Sequence, residues 1–203
     1  MKRMLIVYYT WSNGNTERIA KMLQAETGGD LVRIDTVVPY AGSYDDVMNQ
    51  GKDEVQCGYE PEIKLLMQVP GKKVLDEGAL NQEILDKGGS DKAGGKPGMC
   101  NLADDCNLAD YDVIAVGTPT WWYTMAPAVR TFLHQNDFSG KIVVPFMTNG
   151  GWPGHVIKDM QKACKGATAC CSMQIQFDST GGSRLQTPTA EIESWIKEVK
   201  EIL

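Results

Sequence analysis

The sequence predicts a doubly wound α/β fold: a five-stranded parallel sheet in the order 2-1-3-4-5, covered by helices on both faces. Three observations carry this. Short, unbroken apolar runs recur, such as residues 4–9 (MLIVYY) and 113–116 (VIAV), as parallel strands buried on both faces require. Stretches with helical spacing of apolar residues separate them. The last run differs, with Met173, Ile175 and Phe177 alternating against Ser172, Gln174 and Gln176; this marks an edge strand with one wet face. Alternating strands and helices with right-handed crossovers build such a sheet, and ligands bind at the switch point between strands 1 and 3.

The elements follow in order. Residues 4–9 form the first strand. Residues 15–26 form a helix, with Ile19, Ala20, Met22 and Leu23 on one side and Gly28-Gly29 ending it. Residues 31–35 are the second strand and 43–56 a weaker helix. Residues 111–117 are the third strand, 125–135 a helix and 141–147 the fourth strand. Pro145 inside that strand must avoid a ladder position or mark a bulge. A helix over 154–165, the edge strand 172–177 and an amphipathic helix over 189–203 complete a single domain, 1–203. Residues 66–109 break the rhythm. They are rich in glycine and lysine, poor in apolar mass and longer than an ordinary connection. They read as an insertion before strand 3, holding a short helix over 74–85 and expected to act as a dispensable flap.

Composition narrows the function. The chain has 203 residues, 42% hydrophobic and 23% charged, with a formal net charge of -6. That balance disfavours nucleic acid and anionic membranes and suits basic protein partners. The apolar runs are too short to span a bilayer. The start reads as a strand and not a signal peptide, so a cytoplasmic location is expected. The six cysteines (Cys57, Cys100, Cys106, Cys164, Cys170, Cys171) form no CxxC pair, and the histidines are His134 and His155. No metal site is expected, and reduced thiols are.

Three loops leave the carboxyl ends of strands 1, 3 and 4. Thr10-Trp11-Ser12-Asn13-Gly14-Asn15-Thr16 offers hydroxyls, a glycine and free amides at a helix start. Such a loop seats a phosphate; an ordinary N-capped helix is the other reading. It matches neither a Walker A loop nor a dinucleotide fingerprint. The second loop, residues 117–127, contains Pro119-Thr120-Trp121-Trp122-Tyr123. It is either a lid on the core or a wall for a flat ligand. Consecutive residues cannot both point into one core layer, so at least one ring faces ligand or solvent. The third loop holds Thr148-Asn149-Gly150-Gly151-Trp152-Pro153, whose glycines allow close backbone approach to a ring. Four of the five tryptophans lie in these loops. A flat aromatic ligand bearing one phosphate fits, and flavin mononucleotide (FMN) is such a ligand.

These residues resemble a known family. The first loop is similar to the flavodoxin phosphate loop, [TS]-x-[ST]-x-G-x-T. Residues 117–122, 129–133, 138–141 and 145–151 resemble small flavodoxin-like proteins with a P-[IT]-W-W second loop. The resemblance covers most of residues 3–65 and 108–203. It implies FMN phosphate at Ser12, Asn13, Gly14, Asn15 and Thr16, with Thr10 and Trp11 beside it. It implies the flavin ring against Pro119, Thr120, Trp121, Trp122 and Tyr123 and against Thr148, Asn149, Gly150 and Gly151. The insertion departs from the family pattern.

An electron carrier between redox partner proteins is the favoured function. An NAD(P)H-dependent flavin enzyme acting on quinones or similar acceptors is the alternative. No residue is assigned a catalytic role. His134 is expected to cap a helix or lie on the surface, His155 to be structural, and Cys170-Cys171 to pack.

Overall fold

A computed structural model describes residues 2–68, 107–179 and 182–203. Its elements in chain order are β1 (Met4–Tyr9), α1 (Asn15–Thr27), β2 (Asp30–Thr36), α2 (Tyr44–Cys57), β3 (Ile63–Gln68), a 3-10 turn (Leu108–Asp110), β4 (Val113–Trp121), β5 (Thr124–Met125), α3 (Pro127–Gln135), β6 (Ile142–Asn149), α4 (Val156–Ala163), β7 (Thr168–Ala169), β8 (Met173–Gln176) and α5 (Thr189–Glu201). The sheet runs β3-β2-β1-β4-β6, and its far edge is split between β7 and β8. All pairs along it are parallel except β2 with β3. The expected order 2-1-3-4-5 is therefore present, with one strand added.

Strand β1 shows why both faces are apolar. Leu5, Val7 and Tyr9 pack toward α3 and α4 with Val129, Phe132, Val156 and Met160. Met4, Ile6 and Tyr8 pack toward α1 and α5 with Ile19, Leu23, Ile192 and Trp195. Two-residue alternation feeds two separate cores.

Three expectations need correction. First, β2 is not an edge: β3 pairs antiparallel beside it, from Thr36↔Ile63 to Leu31↔Gln68. Ile63, Leu65 and Met67 alternate toward the core, so residues 66–68 belong to a strand and not to the insertion. Residues 69–106, the rest of the expected flap with its short helix, lie outside the described residues, as do Cys100 and Cys106. The described chain on either side, Gln68 next to Leu31 and the 3-10 turn before Val113, stands at the amino end of the sheet. Second, the third strand does not stop at Gly117 but continues to Trp121 and folds back as a hairpin through β5. Third, the edge strand is interrupted. Cys170 N–H donates to Val143 O at 3.0 Å, so backbone groups two residues on face the same way. There Pro145 has no N–H to offer, and the outer chain leaves the ladder between Ala169 and Met173, with Cys171 at φ 49°. The bulge anticipated from Pro145 lies in the neighbour strand.

Among the described residues, no helix is long and apolar enough to cross a membrane. Cys57, Cys164, Cys170 and Cys171 are free thiols. Burial pushes the Cys164 thiol up to about 11, which keeps it protonated and inert at neutral pH.

Candidate functional site

The three loops named from the sequence meet at the carboxyl end of the sheet. In the first, Thr10 closes β1 almost buried, while Ser12 and Asn13 are exposed. Ser12 and Gly14 both take left-handed φ, 59° and 68°, and curl the chain into α1. Gly14 is the N-cap, and no side chain caps the helix. The first-turn amides therefore point at the loop without a side-chain acceptor, which is the arrangement that favours an anion. The loop has no lysine or arginine, and Glu17 in the first turn is paired with Lys21 at 2.5 Å.

Thr16 is buried, and its Oγ1 lies 2.8 Å from Thr148 Oγ1. That bond ties the first loop to the third. Asn15 Nδ2 donates to Gly182 O at 3.0 Å, while its Oδ1 is buried with no partner. Thr120 Oγ1 is buried and unpartnered as well. An unpaired buried oxygen costs about 1–3 kcal/mol, so both oxygens are suited to a bound group.

The second loop is a two-residue hairpin, with Thr120↔Met125 and Trp121↔Thr124 paired. Trp122 and Tyr123 span the turn at φ 48° and 69°. Positive φ at both central residues belongs to a type I′ turn, where Asn and Gly are usual. Bulky residues there hold backbone strain. Trp122 is 37% and Tyr123 53% exposed. Trp122 is steadied by Nε1–H donating to Met48 O at 2.8 Å and by Lys52 Nζ at 5.3 Å from its ring centre. We expect Tyr123→Gly to stabilise the ligand-free protein by about 1 kcal/mol; chemical denaturation reads this, and a destabilised variant would mean that the turn is not strained.

Trp121 turns the other way. It is half-buried and meets Tyr9 at 6.1 Å, Trp11 at 6.2 Å and Tyr40 at 4.9 Å, all edge-to-face. Gly51 in α2 makes room: a Cβ there would come within 2.8 Å of the indole. Tyr40 OH donates to Glu54 at 2.6 Å, and Gln50 donates to the same carboxylate at 2.8 Å. Burial, then Glu54, push the Tyr40 hydroxyl well above its ordinary value. The two adjacent tryptophans are therefore inequivalent, as expected: Trp121 braces the loops and Trp122 faces out.

The third loop leaves β6 at Asn149, whose Nδ2 donates to Ile175 O at 3.2 Å and whose Oδ1 accepts from Gly151 N–H at 2.7 Å. Trp152 is 60% exposed. Gly154 is pressed on the hairpin, with a Cβ there falling 2.1 Å from Tyr123 O. His155 N–H donates to that same oxygen at 2.8 Å.

Some residues at this end were not named from the sequence. Tyr44 lies against Trp11, ring centres 5.6 Å apart at 32°. Tyr40, Gln50, Gly51 and Glu54 shape the pocket behind Trp121. A fourth loop after β8 brings Gly182 to Asn15 and Ser183 O to Arg18 at 3.4 Å. Its signal was available: Gly181-Gly182-Ser183 follows the fifth strand as the other loops follow theirs.

Comparison with known proteins agrees with this fold. A family model described as flavodoxin matches residues 91–196, just over half of the chain. A flavoprotein from Lactobacillus acidophilus NCFM, crystallised in complex with FMN, is similar at TM-score 0.59 and 19% identity, covering 96% of this chain and 99% of that one. A putative flavoprotein from Bacteroides eggerthii is similar at TM-score 0.61 and 22% identity, covering 98% of each chain. A flavodoxin from Fusobacterium nucleatum bound to FMN gives TM-score 0.50 at 12% identity, covering 100% of this chain and 99% of that one. At such identities the structural likeness speaks for the fold, and the family match speaks for descent: the chain belongs to the flavodoxin family.

Proposed function

We propose that this protein binds one FMN at the carboxyl end of its sheet and carries electrons between redox partners. The observation that carries this reading is the uncapped start of α1 with Asn15 Oδ1 buried and unpartnered in its first turn, together with a second such oxygen, Thr120 Oγ1, at the carboxyl end of β4. Two of the similar structures are of proteins bound to FMN. When bound, FMN supplies a reversible one- or two-electron centre. The protein's residues supply binding and orientation. Thr16 and the first-turn amides hold the phosphate, with Ser12 and Asn13 closing over it. Thr120 and Asn15 satisfy their oxygens on the ligand. Trp122, Tyr123 and the Asn149–Gly151 turn exclude water from the ring, and Trp121 fixes the walls from behind.

The net charge of -6 favours encounter with basic partners in the cytoplasm. The first loop has no dinucleotide fingerprint, so the carrier reading expects slow direct reduction by NADH or NADPH. Anaerobic mixing of FMN-loaded protein with each nicotinamide, followed by flavin absorbance, tests this. Bleaching within seconds would make the protein an NAD(P)H-dependent flavin enzyme; a stable oxidised spectrum that bleaches with dithionite supports the carrier.

A further inference from the structure

Two adjacent cysteines stand where the edge strand breaks, and electron carriage does not use them. Cys170 N–H still donates to Val143 O at 3.0 Å. One residue later Cys171 takes φ 49°, and its carbonyl oxygen accepts from Trp195 Nε1–H of α5 at 2.6 Å. The ladder resumes at Met173, opposite Phe146. Consecutive side chains on a strand point to opposite faces. The left-handed residue cancels that alternation here: Cys170 and Cys171, both partly buried, pack against the same core, the one beneath α1 and α5. Their thiols are hydrogen-bonded to each other. Backbone bonds to β6 and α5 hold the two residues, so the sulfurs are brought together before anything binds.

Charge and ligand number decide what such a pair takes. Burial first, then the bond to Cys170 and the carboxylates of Glu198 and Glu201 on α5, push the Cys171 thiol up to about 11. The thiol therefore keeps its proton at neutral pH, and an anion is repelled. Among the described residues, no group of three or more His, Cys, Asp or Glu side chains is placed to hold a metal ion, so the two glutamates act on the pair by charge and not as ligands. Zinc takes four ligands and binds sulfur only after its proton has left. A neutral, soft centre that uses two sulfurs and carries their protons away fits the pair.

We propose that Cys170 and Cys171 form a two-sulfur chelate site for trivalent arsenic in its uncharged hydroxide form, inorganic or with one organic group. An organic arsenous acid, RAs(OH)2, condenses with the two thiols. Two As–S bonds form, two As–O and two S–H bonds break, and both protons leave in two waters. Arsenic stays trivalent and no electron moves. The site is at the sheet edge and is independent of the flavin reading.

The test uses the full chain, reduced with a phosphine, in a Cys57→Ser/Cys100→Ser/Cys106→Ser background that leaves Cys170, Cys171 and the buried Cys164. The probe is phenylarsine oxide. Intact mass in native conditions gives the stoichiometry, and competition with 2,3-dimercaptopropanol gives the affinity. One phenylarsenic group per chain should be captured, with the loss of two thiol hydrogens. Cys170→Ser and Cys171→Ser should each weaken capture by at least about a hundredfold, because the second sulfur binds at the high effective concentration of a chelate. Cys171→Gly removes the same sulfur with a residue that takes left-handed φ freely, so it should stay folded and lose capture even where a serine variant folds poorly. Two groups per chain, no uptake by the parent, or undiminished uptake by Cys171→Gly would overturn the proposal.

Discussion

Gly117→Ala should destabilise the protein by at least about 3 kcal/mol, the upper end of what overpacking a core costs. Gly117 is fully buried in β4, paired with Phe146 of β6. The Phe146 ring lies across it, so that an added Cβ would be 2.2 Å from Cζ. The ring cannot back away, because Trp195 of α5 packs behind it at 5.7 Å. The glycine is thus a packing requirement, not a turn. Phe146→Leu in the same background should recover part of the loss, since contacting sites couple. Urea unfolding of the two single variants and the double variant measures this. An additive double variant would show that the two residues do not compete for the same space.

The second large effect separates the paired tryptophans. Trp121→Ala should cost about 3 kcal/mol of stability even without ligand, the low end for a large aromatic because the ring is half-buried. It removes edge-to-face contacts with Tyr9, Trp11 and Tyr40 and leaves a void above Gly51. Trp122→Ala should change stability by less than about 1 kcal/mol, because the lost bond to Met48 O is offset by a smaller residue in a left-handed turn. Its cost should appear in flavin affinity. Thermal unfolding and flavin titration of both variants give the answer; a Trp122→Ala protein that is the less stable of the two would reverse the assignment.

Much of this was legible in the sequence because periodicity and burial agree there. β1 and the buried part of β4 are unbroken apolar runs that divide residue by residue between two cores, and Gly28 ends α1 in a left-handed C-cap. The three loops were legible from the fold rule that ligands gather at the carboxyl ends of strands. What escaped was set by pairing partners. β3 has the alternation of an edge strand, yet half-buried residues on a six-residue run next to a long glycine-rich stretch look like the start of a loop. The hairpin escaped for the opposite reason. Trp122 and Tyr123 are poor residues for left-handed φ, so turn chemistry argued against a tight turn there. The second tyrosine layer, Tyr40 and Tyr44, is joined to the site only by tertiary contact with Trp121 and Trp11.

The central claim is that the uncapped helix start seats the phosphate of FMN, and a titration of the flavin-free protein with FMN and with riboflavin tests it most directly. The two ligands share the ring and differ in the phosphate. FMN should bind at least about tenfold tighter, as one or more hydrogen bonds to a charged group require. Thr16→Ala should remove most of that difference by weakening FMN and leaving riboflavin nearly unchanged. Riboflavin binding as tightly as FMN in the wild type would contradict the account, because the first loop would then contribute nothing to the ligand it is built to hold.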